Sequence, residues 1–89
     1  MTKNVHKNMK QIGTITHYYD KIGVAIVELK GELKVGDKVL IGKEDDGIEQ
    51  EIDSMQIDHE EVRKAKKGDV VGIKVGKRVR GNSPVHLLD

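Results

Sequence analysis

Short apolar runs, dominated by Val and Ile, recur along the whole chain between glycines and charged residues. Runs of this length and composition predict strands rather than helices. The first expected strand is Ile12 to Tyr19, followed by a turn at Asp20-Lys21-Ile22-Gly23 in which Gly23 supplies a positive φ. Val24 to Leu29 is the second. Its first four residues, Val24-Ala25-Ile26-Val27, are apolar without alternation, the pattern of a strand covered on both sides. Lys30-Gly31 turns the chain, and Leu33 and Val35 are expected to anchor a connecting loop that ends at Gly36-Asp37. Lys38 to Ile41 is the third strand. Glu44-Asp45-Asp46-Gly47 reads as a hairpin tip, since Asp-Gly is a strong turn signal.

Ile48 to Ile57 is expected as a fourth strand. Ile52 lies on one parity and Met55 and Ile57 on the other, which predicts a bulge near Asp53-Ser54. Asp58 to Lys67 is charged, with Val62 and Ala65 its only apolar residues, and predicts a loop or a single helical turn. Gly68-Asp69 turns into a fifth strand, Val70 to Val75, with Val71, Ile73 and Val75 on one face. Val85 to Leu88 closes the set, with Pro84 at the strand start because proline has no amide to donate to a ladder. Many short strands with turn signals between them define an all-β domain, expected to be a small closed six-stranded β-barrel spanning residues 11–89. Residues 1–10, with Lys3, Lys7, Lys10 and no acidic residue, are expected to form a flexible basic arm. No internal repeat or low-complexity segment is evident.

The chain has 89 residues and no cysteine, enough for one domain and no disulfide or thiolate metal site. A small domain without such staples points to the cytoplasm. No apolar window is long enough for a transmembrane helix. Net charge is +1, but its distribution is polarised. Residues 44–61 carry nine acidic residues and no Lys or Arg, whereas residues 62–81 carry eight basic residues and only Asp69. A basic face is an electrostatic footprint for nucleic acid, although charge of this kind also covers ordinary surfaces. The only aromatics are Tyr18 and Tyr19, too few for the stacking platform of an RNA-recognition-motif sheet.

Catalytic chemistry is hard to find. Gly42-Lys43 and Gly76-Lys77 lack the preceding glycine and following Ser or Thr of a phosphate-binding loop. His6, His17, His59 and His86 have no ligand spacing, and His59-Glu60-Glu61 reads as a charged turn rather than a metal site. The carboxylates occur as solvated runs, an environment that does not raise the pKa of a general acid. Ser54 and Ser83 lie in no nucleophile elbow. The sequence therefore predicts neither an enzyme nor a cofactor.

Two segments resemble a known family. Gly31-Glu32-Leu33-Lys34-Val35-Gly36-Asp37-Lys38-Val39 is similar to the G-x-L-K-V-G-D-x-V loop of domain 2 in translational GTPases. Ser54-Met55-Gln56-Ile57-Asp58-His59-Glu60-Glu61-Val62, followed by Ala65-Lys66-Lys67-Gly68-Asp69-Val70-Val71-Gly72-Ile73, resembles a run in elongation factor Tu and its relatives. Arg80-Gly81-Asn82 is similar to the segment before their last strand. Asp37 and Asp69, each after a glycine, are suited to bonding nearby backbone amides and fixing turns. There are departures: Gln56 stands where many members carry Glu, the hairpin 18–31 is shorter, and no GTPase domain fits in this length.

The resemblance implies a non-enzymatic, translation-factor-like module bound to RNA or the ribosome, with tRNA or rRNA as partner. The basic candidates for phosphate contact are Arg63, Lys64, Lys66, Lys67, Lys74, Lys77, Arg78 and Arg80, with the arginines suited to bidentate contact and Tyr18 offering a stacking face. The alternative is a monomeric protein–protein interaction module. It would pack against a separate enzyme or ribosomal protein, and the acidic segment 44–61 could meet a basic partner. A third reading is an accessory domain in RNA-modification or peptidase systems, where similar barrels are appended.

Overall fold

The structure, a computed structural model, describes residues 10–42 and 47–88. The expected arm (apart from Lys10) and the acidic tip at Glu44-Asp45-Asp46 lie outside the described residues. Within them the fold is all-β, with ten strands and no helix. In chain order these are β1 (Lys10–Tyr19), β2 (Val24–Leu29), β3 (Leu33–Lys34), β4 (Lys38–Ile41), β5 (Ile48–Glu51), β6 (Met55–Ile57), β7 (Glu60–Val62), β8 (Lys64–Ala65), β9 (Val70–Lys74) and β10 (Pro84–Leu87). Eight form one sheet in the order β5-β4-β10-β1-β2-β9-β6-β7, while β3 and β8 pair separately. The described pairings are all antiparallel.

The expected closed six-stranded barrel is therefore corrected. The sheet curls into an open half-barrel whose end strands, β5 and β7, do not pair with each other. The expected fourth strand is the reason. It is not one bulged strand but two, interrupted at Ile52-Asp53-Ser54. β5 pairs with β4 at one end of the sheet, and β6 pairs with β9 near the other. A side chain spans part of this gap: the Gln50 amide donates to the Lys74 carbonyl and accepts from the Gly76 N–H at 3.0 Å.

The concave side holds the core. Ile12, Ile15, Val27, Leu33, Ile52 and Met55 are among its fully buried side chains, and Tyr18 packs against its margin. Burying each aliphatic side chain contributes about 1.5–3 kcal/mol. β1 delivers its apolar residues through two register shifts, at Gln11/Gly13 and Ile15/His17. The second turns Tyr18 inward opposite Ala25 and sets His17 and Tyr19 outward. Gly13 is obligatory at its place, because a Cβ there would stand 2.8 Å from Val27 Cγ1 and 2.9 Å from the Glu28 carbonyl oxygen.

Turn chemistry fixes the remaining geometry. Gly36 and Gly68 have φ of 98° and 93°, and each is followed by an aspartate that reaches back. Asp37 Oδ2 accepts from the Lys34 N–H at 2.9 Å, and Asp69 Oδ2 from the Lys66 N–H at 3.0 Å. Leu33 of this pair of turns is buried as expected, whereas the Val35 side chain is 40% exposed and the residue holds the loop through its backbone, its N–H donating to the Arg63 carbonyl at 2.9 Å. The stretch 58–67 is neither a loop nor a helical turn. β6 and β7 form a hairpin across Asp58-His59, both at positive φ, and β8 follows.

The acidic segment also acquires a meaning. Glu49 and Glu51 lie on β5, and Glu60 and Glu61 on β7, the two end strands of the sheet. Charge on an unpaired edge opposes adventitious strand addition. Among the described residues, four of the negative side chains are therefore shared between the two edge strands.

Candidate functional site

The basic residues fall into two groups. Arg63, Lys64, Lys66 and Lys67 lie around β8 and the turn that meets the Leu29 end of β2, where the Leu29 N–H donates to the Asp69 carbonyl. Lys74, paired with Val24 at the other end of β2, is followed by Lys77, Arg78 and Arg80 past the point where the Val75 N–H donates to the Gly23 carbonyl. The length of β2 separates them, roughly 17 Å at strand rise. They are two groups rather than one cluster. Tyr18 sits with the second group, half-buried, with one side packed against the core and the other lining an open cleft.

The segment 75–83, between β9 and β10, is the most sculpted region. Val75 and Val79 are buried and pin it down, leaving Arg78 and Arg80 exposed on either side of Val79. Backbone bonds hold its end: the Asn82 N–H donates to the Ile15 carbonyl at 2.6 Å, and the Ile15 N–H to the Ser83 carbonyl at 2.8 Å. Open clefts flank it. One, about 430 Å³, has Ile41, Ile48 and Pro84 among its walls; the other, about 600 Å³, has Thr16, His17 and Tyr18. Both are lined by Arg78, Val79, Arg80 and Gly81.

The outer face of β1, β2 and β9 is the second feature. Cross-strand register places Tyr19, Val24 and Lys74 in one row, His17, Ile26 and Gly72 in the next, and Thr14, Glu28 and Val70 in the third. Tyr19 and Val70 are 48% and 50% exposed, and Val24 and Ile26 are half-buried. Ile22, in the turn that joins β1 to β2, is 61% exposed. The His17 and Tyr19 rings lie 4.4 Å apart, tilted. Gly72 leaves a notch on which Val24 Cγ1 and Ile26 Cδ1 close in. No other described strand covers this face.

Among the described residues, no group of three or more His, Asp or Glu is placed to hold a metal ion. The Nδ1 atom of His86 is buried with no hydrogen-bond partner, on β10 between Leu40 and Gln11. No described helix is long and apolar enough to cross a membrane.

Three comparisons bear on identity. The chain is 44% identical over 79 residues to an uncharacterized protease of Methanocaldococcus jannaschii, covering 88% of this chain and 19% of that protein. It is 31% identical over 80 residues to a collagenase of Porphyromonas gingivalis, covering 88% of this chain and 22% of that one. Its fold matches the crystal structure of the C-terminal domain of a putative U32 peptidase of Geobacillus thermoleovorans, with a TM-score of 0.82, 20% identity and full coverage of both chains. The chain spans about a fifth of the length of the curated relatives it matches. No family model matches.

These findings overturn the resemblance to domain 2 of translation factors, together with the RNA- and ribosome-binding function drawn from it. The similar proteins are named for proteolysis, and the matched fold is a domain at the end of a peptidase. The motifs behind the resemblance are turn-building residues. Gly36-Asp37 and Gly68-Asp69 close the same turn twice, and neither lies in the clefts beside Arg78 and Arg80. They report backbone geometry rather than a ligand.

Proposed function

We propose that this chain is an accessory, non-catalytic domain of a U32-type peptidase system, which acts by packing against the catalytic part. The similarity to a segment making up only 19% of the M. jannaschii protease carries this reading. A domain of that kind adds surface and orientation while the chemistry resides in the rest of the protein. The apolar outer face supports it, since an isolated domain gains nothing from half-exposed Tyr19 and Val70 beside Val24 and Ile26. The same reading makes the expected protein–protein module specific: its partner is a peptidase rather than a ribosomal protein.

Titration calorimetry tests this. The M. jannaschii protease, with its matching segment removed, is titrated with the purified chain, and gelatin hydrolysis by the chain alone is followed in parallel. The expected result is a saturable complex and no hydrolysis by the chain. Absence of a complex, or gelatin cleavage by the chain itself, overturns the proposal.

A further inference from the structure

β2 departs from the rule for a half-buried strand. An antiparallel strand with one wet face alternates apolar and polar residues, whereas a strand covered on both faces is apolar throughout. Val24-Ala25-Ile26-Val27 follows the second pattern, yet only Ala25 and Val27 reach the core. Val24 and Ile26 point to the opposite face, where Tyr19 lies beside Val24 across the β1 pairing and Val70 stands one row below Gly72 on β9. Lys74 ends the Tyr19–Val24 row, and Glu28 stands beside Val70 in the third row, so each end of this apolar patch carries one charge.

Resting on the proposed function, we infer that the outer face of β1, β2 and β9 is the docking surface for the catalytic part of a U32-type peptidase, with Tyr19, Val24, Ile26 and Val70 as its apolar centre. The length of the relatives argues for this occupant. In them, about four-fifths of the polypeptide lies outside the matched segment. In the Geobacillus protein, the same fold is the C-terminal domain of a larger peptidase chain. The rest of such a protein is the cover that a doubly apolar β2 requires. The complementary surface is apolar, with a basic group placed for Glu28 and an acidic one for Lys74, the usual centre-and-rim arrangement of a protein interface. At Gly72, which has no side chain, Val24 Cγ1 and Ile26 Cδ1 lean into the space a Cβ would take, so the apolar centre is continuous from β2 to β9.

The test uses the same titration with two variants. Tyr19→Asp/Val70→Asp alters side chains that are already half-exposed, so the fold is retained, which a thermal melt verifies. Arg78→Ala/Arg80→Ala alters the clefts beside the 75–83 segment and serves as the control. The expected result is that the first variant weakens the complex by about thirtyfold or more and the control by less than about threefold. If the wild type binds and the aspartate variant binds equally well, the docking face is wrong while the proposed function stands. If the wild type forms no complex, both fall. If the chain alone dimerises through these residues, shown by sedimentation that the aspartate variant abolishes, a second copy is the occupant and the inference is overturned.

Discussion

Replacing Gly13 with alanine would set a methyl group where the fold already has atoms. The added carbon would stand 2.8 Å from Val27 Cγ1, 2.9 Å from the Glu28 carbonyl oxygen and 3.4 Å from Leu29 Cδ2. Val27 is fully buried, so its methyl has nowhere open to turn. The Glu28 backbone is fixed from both sides, paired to Thr14 on β1 and to Val70 on β9. Overpacking of this kind costs about 1–3 kcal/mol. Alanine also restricts the unfolded chain, which returns about 0.4–1 kcal/mol. The net loss is about 1–2 kcal/mol, and in a domain of this size it lowers Tm by roughly 5–15 °C. Gly76→Ala is the matched control, since nothing lies within 4 Å of its added Cβ, and its melt should stay at or slightly above wild type. Thermal unfolding by circular dichroism measures both. An unchanged Tm for Gly13→Ala would refute the close approach of β1 and β2.

Other consequences follow from the turns. His59 sits at φ 67° in a two-residue hairpin turn, so His59→Gly should raise stability by about 0.5–1 kcal/mol, read from urea unfolding; a loss would contradict that turn geometry. Asp69→Ala removes the acceptor for the Lys66 N–H and should lower stability by about 0.5–1.5 kcal/mol while speeding hydrogen exchange at that amide. Unchanged exchange at Lys66 would show that the carboxylate does not close the turn.

Much of the backbone was legible from pattern alone. Val24 to Leu29 and Lys38 to Ile41 form strands at the expected bounds, and the Asp20 to Gly23 turn has Gly23 at φ 66°. β3, β7 and β8 escaped because two or three residues cannot display a period of two. In β7 the exposed Glu60 and Glu61 hid a strand whose one inward contact is Val62. The interruption at Asp53-Ser54 was located from the parity change, but a bulge and a crossing between sheet ends leave the same sequence trace. The outer face had a visible signal in the unalternating start of β2. The functional expectation failed for a different reason: the glycines and aspartates that carry the resemblance build turns, and a fold of this kind hosts unrelated functions.

The central claim is that this domain serves a peptidase without performing the hydrolysis. The most direct measurement compares gelatin hydrolysis by three forms of the P. gingivalis collagenase: intact, lacking the segment that matches this chain, and with that segment replaced by this chain. The account predicts that deletion lowers activity, that the replacement restores it, and that the chain alone cleaves nothing. Full activity after deletion, or hydrolysis by the chain by itself, would contradict it.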